Sequence, residues 1–200
     1  QKGTPTFTAG NAEVPIKENS HKLLDKEGNE VPAGQTTPAY AEDGVTPVGT
    51  YSIDPTTGKV TFTPNKDFVG TPVPATVQAK DANGTPTTAT YTPTVKPVTP
   101  TSDDVVSEDV QGAKQTGTPV FTAGTTKVNG KTITVPIDET VAPTFEDGTT
   151  TKTIPGEGTY TVDPDGTVHF TPDPQFKGKG TELTVKRVDK NGTPALGKYS

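Results

Sequence analysis

Gly49-Thr50-Tyr51-Ser52-Ile53-Asp54-Pro55, followed by Val60-Thr61-Phe62-Thr63-Pro64, decides the fold. Across residues 50–54, Tyr51 and Ile53 share one face and Thr50 and Ser52 the other. In the second stretch Val60 and Phe62 oppose Lys59, Thr61 and Thr63. Strict alternation marks strands with one buried face. Asp54-Pro55-Thr56-Thr57-Gly58 between them reads as a hairpin turn, since Pro presets φ and Gly tolerates a positive one.

The same run occurs again. Gly158-Thr159-Tyr160-Thr161-Val162-Asp163-Pro164 answers the first stretch, and Val168-His169-Phe170-Thr171-Pro172 answers the second. Phe68-Val69-Gly70 becomes Phe176-Lys177-Gly178, and Asp81-Ala82-Asn83-Gly84-Thr85-Pro86 becomes Asp189-Lys190-Asn191-Gly192-Thr193-Pro194. The opening Gly3-Thr4-Pro5-Thr6-Phe7-Thr8-Ala9-Gly10 returns as Gly117-Thr118-Pro119-Val120-Phe121-Thr122-Ala123-Gly124. So many matches in one order establish an internal duplication.

The copies differ in length at two places. The first is longer between Ile16 and Glu42 than the second between Ile137 and Glu146. The second is longer between Gly124 and Pro136 than the first between Gly10 and Pro15. Segments that change length on a constant scaffold are expected to be surface loops. Asn83-Gly84 and Asn191-Gly192 are strong hairpin signals. They are expected to join strands near 75–81 and 87–95, and near 182–188 and 195–200. One short helix is considered, at 20–27, with Ser20 as its cap and Gly28 as its stop. The expected core is Phe7, Ile16, Tyr51, Ile53, Val60, Phe62, Phe68, Val77 and Tyr91. Its mirror is Phe121, Ile137, Tyr160, Val162, Val168, Phe170, Phe176, Val185 and Tyr199.

About seven short strands per copy, with frequent turn signals, imply an all-β fold of two tandem Ig-like β-sandwich repeats. The expected boundaries are 1–96 and 105–200, separated by a Pro-rich acidic linker at 97–104. Pro97 and Pro100 in that linker favour extended backbone, hence a head-to-tail elongated array. Residues 105–114 have no counterpart in the first copy, and both ends look cut from a longer array.

Composition narrows the function. The 200 residues include 21 Gly, 21 Pro and no Cys, Met or Trp, and 28% are hydrophobic. The apolar share implies a thin core, although abundant Thr suits strands. No run is long enough for a membrane span, and no leader-like segment opens the chain. Without Cys there are no disulfides, thiolate metal sites or Cys nucleophiles. A net charge of -6 argues against nucleic acid, which is bound mainly through basic residues. An unassembled monomer is expected.

The chemistry-bearing residues are few. His169 falls on the strand face opposite Val168 and Phe170, and His21 lies in the first-copy insertion; both are expected in solvent. No convergent set of acid, base and nucleophile is apparent, so neither an enzyme nor a cofactor is expected. Asp81, Asp103 and Asp104 are the candidate ligands of a calcium-rigidified, cadherin-like alternative, because oxygen-rich loops at joints suit Ca²⁺. A solvated acidic joint and ordinary Asn-Gly turns are the simpler reading. Leu23, Leu24 and Tyr40 in the 17–41 insertion raise a second alternative, direct binding of a host glycoprotein by the repeats.

Gly117-Thr118-Pro119-Val120-Phe121-Thr122, Gly156-Glu157-Gly158-Thr159-Tyr160-Thr161-Val162-Asp163, Val168-His169-Phe170-Thr171-Pro172 and the 185–194 block resemble the CshA-type fibril repeat of streptococcal surface adhesins. The resemblance covers nearly the whole chain and departs between Lys17 and Ala41. It implies a stalk of a cell-wall-anchored, extracellular fibril whose repeats contact neighbouring repeats. It also implies that host glycoproteins such as fibronectin are captured by other regions of the parent protein. It supplies no catalytic residues.

Overall fold

The computed structural model describes residues 1–200 and divides them into two units, Gln1–Pro97 and Val98–Ser200. Every regular element is a strand. The first unit holds β1 (Lys2–Gly3), β2 (Lys22–Leu24), β3 (Thr37–Tyr40), β4 (Pro47–Ile53), β5 (Val60–Pro64), β6 (Ala75–Lys80) and β7 (Pro86–Tyr91). They form two antiparallel sheets, ordered β1-β5-β4-β3 and β2-β6-β7. Inward side chains of both sheets, including Leu23, Tyr51, Val60, Phe62 and Val77, meet in one core cluster. This is a β-sandwich, and its strands alternate buried and open residues as the period of two requires.

The second unit repeats that plan and adds to it. It holds β8 (Thr101–Asp103), β9 (Gln115–Gly117), β10 (Val120–Thr122), β11 (Gly124–Val128), β12 (Lys131–Val135), β13 (Thr144–Phe145), β14 (Thr151–Ile154), β15 (Gly158–Val162), β16 (Val168–Pro172), β17 (Leu183–Val188) and β18 (Pro194–Tyr199). The sheets β14-β15-β16-β9 and β13-β17-β18 match the two sheets of the first unit strand for strand. The expected hairpins at Asp54–Gly58, Asn83-Gly84, Asp163–Gly166 and Asn191-Gly192 join paired strands. The invariant first glycine of the repeated run has a steric reason. A Cβ on Gly49 would strike the Thr63 carbonyl, and one on Gly158 the Thr171 carbonyl.

Several expectations change. Residues 20–27 form no helix: Lys22–Leu24 is β2, in register with Thr76–Gln78 of β6. The single buried position there, Leu23, needs a period-two element flanked by partners, and a helix would turn it off the core. The 17–41 insertion is therefore no surface loop. Leu23 pairs with Val77 as Phe145 pairs with Val185, so the two residues hold equivalent places. The alignment of Glu42 with Glu146 slips for the same reason. Asp43-Gly44 turns between β3 and β4, whereas Asp147-Gly148 turns between β13 and β14. The extra length of the first copy lies in the β2–β3 and β3–β4 connections. In the second copy, the lengthened segment after Gly124 folds into the β11–β12 hairpin, turned by Asn129-Gly130 with φ of 50° and 77°.

The 97–104 segment also differs from a linker. Pro97 closes the first unit, and the chain from Val98 onward belongs to the second. Pro100 is buried. Thr101–Asp103 pairs with Val120–Thr122, and the Ser102 hydroxyl donates to the Leu196 carbonyl at 2.5 Å. Prolines at 97 and 100 leave 101–103 free to donate, and an available strand edge captures them.

Of the expected core, Tyr51, Val60, Phe62, Val77, Tyr160, Val162, Val168, Phe170, Val185 and Tyr199 are buried. Phe7, Ile53, Phe68, Tyr91, Phe121 and Phe176 are half-buried and pack on the clusters. Ile16 and Ile137 instead make single bridges to Asp81 and Asp189 beside the cores.

Candidate functional site

The first and last segments of a unit lie far apart in its sequence. In the second unit these meet directly. Past β8, Val105 bridges Tyr199 in parallel. The Val105 N–H donates to Lys198 O at 2.8 Å, Ser200 N–H to Val105 O at 3.1 Å and Ser107 N–H to Ser200 O at 2.9 Å. The Lys198 N–H donates to the Asp104 carboxylate at 2.8 Å. The Ser107 hydroxyl reaches Gln115 Oε1 and the Tyr199 hydroxyl, each at 2.7 Å. The entering strand is thus tied to the leaving one by backbone and side chain. Sequence reading left 105–114 without a role. Its only signal was the Val105-Val106 pair in an acidic stretch, of which Val105 packs on the core.

Behind this junction stands an aromatic stack. Tyr160 and Phe170 lie with ring centroids 4.3 Å apart and planes at 14°. Phe176 meets Phe170 edge-on at 5.9 Å, and Tyr199 meets Tyr160 edge-on at 6.2 Å. In the first unit Tyr51, Phe62 and Phe68 make the corresponding but looser set, at 5.2 and 6.2 Å.

The two units differ in how the central tyrosine is satisfied. Tyr51 donates to the Val73 carbonyl at 2.8 Å. Tyr160 donates instead to the Glu157 carboxylate, a buried acid standing where the first unit has Val48. Glu157 also accepts the Thr181 N–H at 2.6 Å and the Thr181 hydroxyl at 2.8 Å. Burial pushes the Glu157 carboxyl up, but the donors of Tyr160 and Thr181 outweigh it and hold it below the ordinary range. Burial pushes Tyr51 up to about 12, and burial with Glu157 raises Tyr160 further.

A group whose pKa is lowered on folding stabilises above its unfolded pKa, about 4.3 for Glu. That contribution disappears as pH falls through the lower folded value. Glu157→Gln is therefore expected to cost the second unit about 1–3 kcal/mol at pH 7, because one carboxylate serves three donors. It is also expected to flatten that unit's loss of stability below about pH 4.3. Denaturant midpoints followed through second-unit amides from pH 7 to 3 check both; an unchanged profile counts against the network.

The candidate ligands of the calcium alternative do not assemble. Asp81 Oδ1 accepts the N–H groups of Asn83 and Thr85, at 2.9 and 2.8 Å, which closes its own turn. Asp103 is a strand residue opposite Val120, and Asp104 serves Lys198. No group of three or more His, Cys, Asp or Glu is placed to hold a metal ion. His169 sits on the outer face, 2.8 Å from Asp163. His21 is not solvated as expected: its ring lies 5.5 Å from Phe7 and against Gly58, with Nδ1 buried and unpartnered. Tyr40 of the insertion is covered by Lys26, whose Nζ is 5.0 Å from the ring centroid.

A family model described as the surface adhesin CshA repetitive domain matches residues 1–95 and again 97–200. Among solved structures, the NMR structure of repeat domain 13 of the fibrillar adhesin CshA from Streptococcus gordonii is 73% identical. That match covers 33% of this chain and 85% of that one, with a TM-score of 0.21. Mouse cadherin-23 EC22-24 is 15% identical over 92% of this chain and 64% of that one, with a TM-score of 0.24. The Bacteroides ovatus protein SGBP-B, in complex with a mixed-linkage heptasaccharide, is 14% identical over 99% and 45%, with a TM-score of 0.20. Superposition scores this low carry no argument, and the assignment rests on the sequence matches. No curated protein matches the chain. With one family model matching twice, nearly from end to end, the chain belongs to the CshA surface-adhesin repeat family and carries two of its repeats.

Proposed function

We propose that these repeats are spacers of a fibrillar surface adhesin. They bear tension along the chain, contact neighbouring repeats, and hold a separate ligand-binding region away from the bacterial cell wall. The observation that carries this reading is the parallel pairing of Val105–Ser107 with Lys198–Ser200. Tension applied through the two ends of the unit draws parallel segments in opposite directions along their length. The bonds between them then load together instead of opening one after another. Resistance to force is a matter of unfolding rate, so a barrier of this kind protects a stalk even where equilibrium stability is modest.

The test is to stretch single molecules of the two-repeat chain by their ends. Val105→Pro removes the donor to Lys198 O and can restore none. The second repeat is expected to yield at a clearly lower force, while the first keeps its own rupture force. Equal rupture forces in parent and variant would refute the load-bearing reading. Val105→Ala, which keeps the backbone bonds, serves as the control for lost packing.

A further inference from the structure

One hairpin belongs to neither sandwich sheet. β11 and β12 pair with each other and with no other strand, and the first unit has no counterpart. A two-stranded hairpin is marginal in water by itself, whereas three or more strands with an apolar face hold. Its turn, Asn129-Gly130, has positive φ at both residues, 50° and 77°. That is a primed turn, closed by a hydrogen bond between the flanking residues Val128 and Lys131. Bonded and non-bonded pairs alternate along an antiparallel ladder. The N–H and C=O of Lys131, Ile133 and Val135 therefore point at β11. Those of Thr132 and Thr134 point outward, along an edge where no strand lies.

Side chains of paired residues share a face. One face of the hairpin carries Val128, Ile133 and Val135, with Lys131 at its turn end. That apolar face is open: Val128 is 39% and Ile133 37% exposed. The edge is also undefended. Native edge strands are blunted by proline, charge or brevity. β3 carries Pro38 and β14 carries Lys152, but Thr132-Ile133-Thr134 has neither device. The strand is, moreover, its own complement. Laid antiparallel on a second copy about Ile133, it sets Thr132 opposite the partner's Thr134, Ile133 opposite the partner's Ile133, and Lys131 opposite the partner's Val135. Each outward N–H then meets an outward C=O. The two Lys131 side chains fall at opposite ends, about 13 Å apart at strand spacing. That exceeds the Debye length of about 8 Å at physiological ionic strength, so they scarcely repel.

We propose that β12 is a self-recognition edge, on which a second copy of this chain docks through its own β12. The two hairpins form one sheet, ordered β11-β12-β12-β11 about a two-fold axis. Backbone bonds give the hold, as in strand addition to an open edge. Val128, Ile133 and Val135 of both copies then line one face as a continuous apolar patch. The Asn129-Gly130 turn and Pro136 bound the pairing at the five residues of β12, and Pro136 has no N–H with which to extend it. An isologous contact closes on itself and does not grow into a filament. A contact this short is weak between free chains and gains strength where copies are crowded together.

The chain has no cysteine, so a single introduced one reports its own contacts. In the proposed register the two Ile133 positions form a non-hydrogen-bonded pair with Cα atoms about 4.5 Å apart, within disulfide reach. In a glutathione redox buffer, Ile133→Cys is expected to form a covalent dimer about ten-fold faster than Val45→Cys, a control at another exposed residue. Equal rates would overturn the proposal. Thr132→Cys mixed with Thr134→Cys should crosslink to each other in preference to themselves, and absence of that preference would overturn the register and the proposal with it. Thr134→Pro, added to the Ile133→Cys chain, removes an outward N–H and no bond within the hairpin. It should return the rate to that of the control. Amide exchange at Lys131 and Ile133 shows whether the hairpin persists. If it does not, Thr132→Glu with Thr134→Glu takes its place, by setting like charges opposite each other across the copies. A fast crosslink that survives in a chain with its hairpin intact would overturn the proposal. None of these outcomes bears on the rupture force conferred by Val105, so the two ideas fail separately.

Discussion

Phe170→Ala is expected to cost the second repeat about 3–5 kcal/mol, the usual range for deleting a buried phenyl ring. Phe170 is buried and holds both a stacked contact to Tyr160 and an edge contact to Phe176. Its removal takes the stacked contact from Tyr160 and the ring partner from Phe176, and leaves a void between them. Domains of this size are stable by only about 5–15 kcal/mol, so one side chain accounts for a large share. Amide exchange in β15–β18 reads the loss for this unit alone, which a single melt of two units would not. The first repeat should keep its protection. A second repeat that retains its full protection would show that the stack is not its centre of stability.

Leu23→Ala is expected to cost the first repeat about 2–5 kcal/mol. Leu23 is fully buried, and its strand closes one edge of the β2-β6-β7 sheet. Trimming residues 17–41, which sequence length variation presents as harmless, should therefore unfold the first repeat and not merely strip a loop. Thermal and denaturant unfolding of the point variant and the trimmed chain measure this. A trimmed chain that keeps a cooperative first-repeat transition would return the insertion to the surface.

Much of the architecture was legible because the decisive residues alternate. Tyr51, Ile53, Val60 and Phe62 specify strand, face and hairpin together, and the duplicate run repeats the statement. Leu23 was not legible. Its strand has three residues, too few to show a period, and the adjacent Leu24 obscures the alternation. His21 was placed in solvent because its neighbours in sequence are polar. Its burial comes from Phe7 and Gly58, which are remote in the chain. Pro100 and Thr101–Asp103 read as a joint because proline density outweighed a short β-compatible run. The clamp at Val105 has no local signature beyond the Val105-Val106 pair. Its partners are supplied by the far end of the unit, and only a folded chain brings them together.

That distance has a consequence for the order in which such a repeat folds. Ser107 and Tyr199 are 92 positions apart, and their contact closes almost the whole unit. Contacts that enclose long loops carry the largest closure entropy and form late. A chain emerging from its N-terminus cannot tie this knot of bonds until its final strand has followed. Until then Val105 and Ser107 have no backbone partners from the last strand. One short pairing between the two ends of the unit is therefore the last to close, and the second repeat is complete only when both ends are present.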